Sequence, residues 1–166
     1  MSHTISNLSV AVFFLALAGC MMASTTQEEA AGELTGRVFS KSDVETMGDR
    51  PIQVLVVAVP SARFDSLLQV ADGPEEPTGD IVGVTGAIQE PFTAYATGHD
   101  VSGKDGQYRI QVEESGVHFL CLTGETEVPE EDAWTVAGCM RVEVPDGKTV
   151  EQDLYMQFNR LVAPPR

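Results

Sequence analysis

The feature that most constrains the fold is an unbroken alternation of polar and apolar residues over 107–113. Every second position of this run is apolar, namely Tyr108, Ile110 and Val112. Successive side chains of a β-strand point to opposite faces, so this period of two predicts a strand with one face in a core and the other in water. An amphipathic helix would instead repeat its apolar residues every three or four positions. The chain is therefore expected to build sheets.

Six further segments carry strand signals: 34–40, 52–59, 92–97, 117–122, 140–144 and 150–158. The second of these is almost continuously apolar, which favours a central strand or a strand covered on both faces. Short strands with turn residues between them are typical of an all-β sandwich. We therefore predict one seven-stranded antiparallel β-sandwich with a short helix or loop inserted after its second strand.

Glycine-containing connections predict the turns of this sandwich. Glu114-Ser115-Gly116 separates 107–112 from 117–122, and Asp146-Gly147 separates 140–144 from 150–158, so each pair of strands is expected to form a hairpin. Asp105-Gly106 predicts another tight turn, and turn formation accounts for Asp100 and Asp105. Gly36 lies inside the first strand and indicates a bulge or the close approach of another backbone.

The inserted segment has the apolar period of a helix. Phe64, Leu67, Leu68 and Ala71 occupy positions i, i+3, i+4 and i+7, which predicts an amphipathic helix over 61–71 that ends at Gly73-Pro74. The helix would cap an open end or edge of the sandwich. Alternatively, Phe64 and Leu67 are possible binding residues that the helix presents to a partner.

Several short segments carry a resemblance to a known family. Residues 97–100 (Thr-Gly-His-Asp), 104–110 (Lys-Asp-Gly-Gln-Tyr-Arg-Ile) and 116–119 (Gly-Val-His-Phe) resemble the hallmark of carboxypeptidase regulatory-like domains. These domains are transthyretin-like β-sandwiches, and the resemblance covers most of 33–158. It implies no catalysis, because such domains mostly act as folding supports, spacers or binding modules beside other components.

The N-terminal segment resembles the leader of a bacterial lipoprotein. An apolar run over 8–17 ends in Leu17-Ala18-Gly19-Cys20, which matches a lipobox. The resemblance implies that residues 1–19 are removed and that Cys20 is acylated, and two or more acyl chains at about 0.8 kcal/mol per buried methylene hold a protein on a membrane. An ordinary cleaved secretory signal is the main alternative. An uncleaved span is disfavoured, because the apolar segment falls short of the roughly 20 residues that a crossing needs.

Composition then divides the exported chain and limits its partners. Residues 20–32 are small, polar and acidic, which predicts a flexible tether before a domain over 33–160 and a tail over 161–166. Met21, in place of the Asp that often signals inner-membrane retention, favours the outer membrane, facing the periplasm or the cell surface. The net charge of −15 lies wholly after Cys20 and argues against nucleic acid or anionic headgroups as partners.

Cys121 and Cys139 are the two thiols left after lipidation, and an exported domain lies where thiols are normally oxidised. Neighbouring strands could bring them together, so a disulfide is expected. It would stabilise the fold by about 3 kcal/mol. Two free buried cysteines are the alternative. A catalytic thiol is disfavoured, because His118 is three residues from Cys121 and would point to the opposite face of a strand.

Other catalytic and metal-binding patterns are weak. Five carboxylates fall within 125–132, but they lack the spacing of an EF-hand, so a solvated acidic loop is favoured over a calcium site. The mature chain has neither a zinc-ligand spacing nor a nucleophile elbow. We therefore predict no catalytic residue, no metal and no cofactor. Trp134 either contacts a ligand at one end of the sandwich or covers the two cysteines.

These observations predict a lipid-anchored envelope protein that acts as a binding or scaffolding module without catalysis. Its expected partners are the membrane, through Cys20, and a protein or glycan of the envelope. Two alternatives stay open. One is an assembly subunit similar to the transthyretin-like lipoprotein of type VI secretion systems, which 50–54 and 64–68 loosely echo. The other is a carbohydrate or cell-wall binding module, which would need exposed aromatic residues on one face.

Overall fold

The structure is a computed structural model that describes residues 31–42, 48–71, 78–84, 86–129 and 133–164. The leader, Cys20 and the tether up to residue 30 lie outside these ranges, so cleavage and lipidation stay predictions. Within the described ranges, no helix is both long and apolar enough to cross a membrane.

The described residues form twelve strands, one α-helix and one 3-10 helix. The strands are β1 (Gly32–Ser40), β2 (Arg50–Pro51), β3 (Leu55–Pro60), β4 (Ile81–Val82), β5 (Gly86–Ile88), β6 (Gly98–Val101), β7 (Gln107–Val112), β8 (Gly116–Thr123), β9 (Trp134–Val144), β10 (Lys148–Glu151), β11 (Leu154–Gln157) and β12 (Arg160–Val162). The α-helix is α1 (Ser61–Val70), and the 3-10 helix covers Phe92–Ala94.

Two sheets pack face to face, which confirms the predicted all-β sandwich. The first sheet has the order β10-β1-β11-β12, and β2 and β7 also pair with β1. The second sheet has the order β4-β9-β8-β3-β6, and β5 pairs with β9. The predicted count of seven strands is too low, because the run over 150–158 divides into two strands and β9 carries two short partners.

The main core lies between the sheets and is built as the alternation predicts. Tyr108, Ile110 and Val112 of β7 are all buried there, whereas Gln107, Arg109 and Gln111 are exposed. β1 contributes Leu34 and Val38 from the first sheet. The second sheet contributes its own inward row: Val56, Ala58, Leu120, Leu122, Met140, Val142 and Val144.

A second core lies on the other side of the second sheet. α1 contacts β3 and β8 and buries Phe64 and Leu67 against them. The 3-10 helix adds Phe92, and the sheet itself contributes Leu55, Val57 and Trp134. The predicted helix is thus confirmed almost to the residue, but it covers a sheet face instead of capping an end or edge. This third layer explains why β3 is buried at all six positions.

The predicted hairpins are wrong. β7 pairs with β1, whereas β8 lies between β3 and β9, so the connection over 113–115 crosses from one sheet to the other. The turn at Asp146-Gly147 likewise leads from β9 of the second sheet into β10 of the first. β10 and β11 both run parallel to β1, which departs from the predicted all-antiparallel arrangement. Glycine-containing turns predicted the chain reversals but not the sheet that the next strand joins.

The strand predicted over 92–97 is also absent. A 3-10 turn follows Pro91, and its Phe92 is buried with its ring edge-on to Trp134. The strand begins only at Gly98, where β6 pairs with β3. An apolar pair separated by two residues, Phe92 and Tyr95, is buried here by a turn of helix and not by an extended strand.

Candidate functional site

The two outward faces of the sandwich differ in what covers them. The outward face of the second sheet lies under α1 and the 3-10 helix. The outward face of the first sheet, which we call the open face, keeps its side chains partly or fully exposed. It is formed by Glu33, Thr35, Arg37 and Phe39 of β1, Gln107, Arg109 and Gln111 of β7, Thr149 and Glu151 of β10, Tyr155 and Gln157 of β11, and Arg160 and Val162 of β12.

Glu33 organises one end of the open face. Its carboxylate accepts hydrogen bonds from Nε2 of Gln111 at 2.6 Å and from Oγ1 of Thr149 at 3.2 Å, and it pairs with Nη1 of Arg109 at 3.2 Å. The side chain of Glu33 is only 17% exposed, whereas that of Arg109 is 73% exposed. Exposed ion pairs of this kind contribute little to stability. Their effect is to hold polar groups of three strands in fixed positions.

A shallow depression of about 460 Å³ lies beside this network. Its walls include Thr35, Arg37, Gln107 and Glu151, so hydrogen-bond donors and acceptors surround it. Asp100 of the second sheet reaches its margin and accepts the backbone N–H of Arg109 at 2.7 Å. The depression is therefore polar and has a backbone frame fixed by both sheets.

An aromatic pair lies farther along the open face. The rings of Phe39 and Tyr155 stack with centroids 5.3 Å apart and planes inclined by 20°. Strand register places Pro51 beside Phe39 and Val162 beside Tyr155, which makes an apolar row across four strands. Burial and then the charges of Asp153 and Asp49 raise the pKa of Tyr155, so its hydroxyl stays protonated near neutral pH and can donate a hydrogen bond.

The side chains of the open face suit the reversible binding of a ligand. The outward side chains supply guanidinium and amide donors, carboxylate and hydroxyl acceptors, and one apolar row. The outward side chains of the described open face include no Ser, Cys or His. The described residues also hold no group of three or more His, Cys, Asp or Glu side chains that would coordinate a metal.

Three predicted binding residues lie elsewhere, inside the second core. Trp134 is 1% exposed, and its indole N–H donates to the carbonyl of Glu90 at 2.8 Å. Phe64 stacks on Phe119 with centroids 3.6 Å apart, and Leu67 is fully buried. The interpretation that these side chains present a surface to a ligand is wrong for the described structure. The packing interpretation holds for all three.

The predicted disulfide is present between Cys121 and Cys139, which lie directly opposite each other on β8 and β9. Trp134 packs in the same cluster as the two cysteines, as its structural interpretation expected. His118 directly precedes Phe119 on β8 and is 1% exposed. Its Nδ1 is 3.2 Å from the carbonyl oxygen of Gly116, and its Nε2 has no hydrogen-bond partner among the described residues.

Glu125, Asp105 and Asp100 each have structural partners. Oε1 of Glu125 accepts from the backbone N–H and the hydroxyl of Thr135 at 3.0 and 2.9 Å. Asp105 accepts the N–H of Gln107, which confirms its turn, whereas Asp100 lies in β6 and not in a turn. Residues 130–132 of the acidic segment lie outside the described ranges, so the choice between a solvated loop and a calcium site stays open.

Sequence reasoning missed the open face. The alternation of Glu33, Thr35, Arg37 and Phe39 along β1 was a usable signal, because it assigns all four to one face. What the sequence did not reveal is that β11 runs parallel to β1 and brings Tyr155 beside Phe39.

Comparison with known proteins adds a likeness of overall shape. No protein-family model matches the sequence, and no curated protein matches it. Among solved structures, the chain is similar to a candidate carbohydrate-binding protein of Pseudomonas aeruginosa, with 12% sequence identity and a TM-score of 0.48. The match covers 80% of this chain and 92% of that chain. At this level of similarity it identifies no ligand for the chain.

Proposed function

We propose that the protein is a lipid-anchored binding module of the bacterial envelope, without catalysis, and that the open face holds its ligand. One observation carries the proposal. Among the described residues, one outward sheet face is buried under a third layer, whereas the other keeps exposed side chains, with ordered polar groups and a stacked aromatic pair. A face that served only for solubility would not need the fixed hydrogen-bond network around Glu33.

The segment Leu17-Ala18-Gly19-Cys20 supports the lipid anchor. The turn residues support the proposed kind of domain. The Asp105-Gly106 turn leads into β7, as the resemblance to carboxypeptidase regulatory-like domains implies. We propose membership in that group on these residues together with the sandwich. An outer-membrane location, facing the periplasm or the cell surface, follows from Met21 as part of the same proposal.

Metabolic labelling tests the anchor. Cells that produce the full-length protein should incorporate radiolabelled palmitate into it, and globomycin should cause the unprocessed precursor to accumulate. The variant Cys20→Ala should incorporate no palmitate, and globomycin should not change its processing. It should also be absent from the membrane fraction, because it lacks the sulfur that carries the diacylglycerol. Lipidation would be refuted if the wild-type protein incorporated no palmitate and globomycin did not affect its processing.

Matched substitutions test the open face. Thr35→Trp fills the polar depression, and Ser66→Trp places the same ring on the exposed side of α1. Arg109→Ala removes a donor of the open face, and Arg63→Ala removes an exposed arginine of α1. Full-length protein in detergent is assayed for retention on isolated cell-wall sacculi and for envelope proteins that co-purify with it. We expect at least tenfold loss for the open-face variants only; equal retention by all four would exclude this face.

A glycan ligand is the second candidate, and the aromatic pair favours it. Sugar rings combine apolar C–H faces with hydroxyl groups, and the open face carries the Phe39–Tyr155 stack on the same side of the sheet as the guanidinium of Arg37 and the amide of Gln107. Retention on sacculi that Phe39→Ala abolishes would support this ligand class. Stoichiometric co-purification of a protein, with no retention on sacculi, would instead support scaffolding or assembly.

A further inference from the structure

The polar side chains that line the depression of the open face fall into two groups. The first group already makes hydrogen bonds or ion pairs within the chain and comprises Glu33, Asp100, Tyr108, Arg109 and Thr149. The second group makes no side-chain hydrogen bond or ion pair among the described residues and comprises Thr35, Arg37, Gln107 and Glu151. The first group braces the depression, and the second is available to a ligand.

The available groups include one carboxylate and one guanidinium, and these two are neighbours. Glu151 of β10 lies beside Thr35 in the strand register, and Arg37 follows Thr35 by two positions on the same face of β1. With a rise of about 3.3 Å per residue and about 4.8 Å between strands, the Cα atoms of Glu151 and Arg37 are roughly 8 Å apart. Both side chains are exposed, and they form no ion pair with each other. The depression therefore presents one anionic point and one cationic point.

The other charges around the depression have partners of their own. The guanidinium of Arg109 pairs with Glu33, and the carboxylate of Asp100 accepts the backbone N–H of Arg109. Asp153, in the next row of the sheet, accepts the backbone N–H of Arg37 at 2.9 Å but forms no ion pair with its guanidinium. The free carboxylate and the free guanidinium are thus the two charges that a ligand would neutralise.

Two free charges of opposite sign select a ligand by repulsion as well as by attraction. A ligand with an ammonium group alone is attracted by Glu151 and repelled by Arg37, and a ligand with a carboxylate alone meets the reverse. A ligand that carries both groups complements both charges, and a guanidinium binds a carboxylate through two parallel hydrogen bonds. A neutral sugar can form hydrogen bonds here but neutralises neither charge.

The remaining two available groups match an amide. Gln107 lies opposite Arg37 in the strand register, and Thr35 lies between Arg37 and the bracing Glu33 along β1. The side-chain amide of Gln107 and the hydroxyl of Thr35 each donate and accept hydrogen bonds, as the N–H and C=O of a peptide bond require. The volume of about 460 Å³ lies within the range of pockets that take small ligands.

We propose that the depression binds a zwitterionic peptide unit, in which a free ammonium group and a free carboxylate flank an amide. The ammonium group pairs with Glu151, and the carboxylate pairs with Arg37. Thr35 and Gln107 bind the amide between them. The inference rests on the proposed function, because it names the ligand class of the open face.

Binding of defined probes to the full-length protein in detergent tests the assignment of the two charges. The probes are alanyl-alanine with both ends free, its N-acetyl form, its C-terminal amide, and a tetramer of N-acetylglucosamine. The free dipeptide should bind about tenfold more tightly than either blocked form, because each block removes one charge. NMR titration measures the dissociation constants.

Substitution of each charge should remove the dependence on one end of the dipeptide. Glu151→Gln should weaken binding of the free dipeptide about tenfold, and N-acetylation should then cost nothing further. Arg37→Gln should weaken it similarly, and amidation should then cost nothing further. Glu143→Gln and Arg141→Gln remove the same kinds of group from exposed positions of β9 and should leave every dissociation constant unchanged.

Failure of this inference is distinct from failure of the open face. Equal affinity for the free and the blocked dipeptides, or no binding of the free dipeptide, would overturn the zwitterionic ligand. Binding of the sugar tetramer alone, if Thr35→Trp abolishes it, would also overturn the inference but would leave the open face as the binding site. Unchanged dipeptide binding in Thr35→Trp would exclude the open face, and the inference with it.

Discussion

At the scale of the residue, Gly36 is the tightest point of the first sheet. A Cβ built there would lie 2.0 Å from the carbonyl oxygen of Gln152, which also accepts the hydroxyl of Tyr108 at 2.5 Å. The backbone N–H of Gln152 in turn donates to Thr35 at 2.7 Å. No side chain fits between these two backbones. The close approach predicted from a glycine inside a strand is thus confirmed.

Gly36→Ala should lower the free energy of unfolding by about 3 kcal/mol, because β1 and the backbone at Gln152, between β10 and β11, must separate to admit the methyl group. Gly48→Ala is the control, since no atom lies within 4 Å of its added Cβ and only its φ of 57° opposes the change. That cost should be about 1 kcal/mol. Urea denaturation measures both. Equal losses for the two variants would contradict the steric account.

The tyrosines give the chain a dependence on alkaline pH. Burial, and then its hydrogen bond to Glu90 and the charge of Glu90, raise the pKa of Tyr95 to about 12. Burial is also the main cause that raises the pKa of Tyr108 and of Tyr155, with a further contribution from the charge of Asp153. All three phenols thus ionise at higher pH in the folded chain than the value of 10.0 in the unfolded one.

Because the unfolded chain releases these protons first, the stability that they confer is complete below pH 10 and falls as the pH rises from about 10 to 12. At pH 10.5, absorbance at 295 nm should show a smaller fraction of phenolate in folded protein than in protein unfolded by guanidinium chloride, where the majority is ionised. Identical titration curves for the folded and the unfolded protein would exclude the burial of these hydroxyl groups.

At the scale of the element, periodicity predicted the faces of strands and helices better than their partners. The pattern of β7 assigned every residue of that strand to the correct side. The period of α1 identified Phe64 and Leu67 as its buried stripe. Neither pattern specifies which sheet a strand joins, because a buried face matches any apolar surface. For this reason the connection over 113–115 was mistaken for a hairpin turn.

The helix offers a direct test of the third layer. Leu67 is fully buried against the second sheet, whereas Val70, one turn further on, is 40% exposed. Leu67→Ala should cost about 3 kcal/mol of unfolding free energy, because it leaves a cavity in the second core. Val70→Ala should change that energy by less than about 0.5 kcal/mol. If Leu67→Ala were equally mild, α1 would not be packed on the sheet as described.

At the scale of the whole molecule, strand signals and turn residues were enough to predict an all-β sandwich, and a helical apolar period indicated the short helix or loop inserted in it. The open face was beyond their reach, because it depends on a parallel strand pairing between residues more than a hundred positions apart, Phe39 and Tyr155. Alternation identifies outward residues strand by strand. Only the pairing shows which outward residues become neighbours and what surface they form together.

The charge of the whole chain leads to a prediction about salt. A net charge of −15 repels itself in the compact state, so screening should stabilise the fold. The Debye length shrinks from about 30 Å at 0.01 M salt to about 8 Å at 0.15 M, which removes most repulsion between distant carboxylates. At pH 7.5, Tm should therefore rise by about 3 °C over this range, with equal effects of sodium and potassium chloride.

The same increase in salt at pH 4.3, the isoelectric point, should leave Tm nearly unchanged, because little net charge remains to be screened. Differential scanning calorimetry at pH 7.5 and at pH 4.3 separates the effect of salt on the repulsion of the net charge from its effect on attractive ion pairs. A fall of Tm with salt at pH 7.5 would mean that attractive pairs, such as Arg109 with Glu33, outweigh the repulsion. The network on the open face would then stabilise the fold as well as position a ligand.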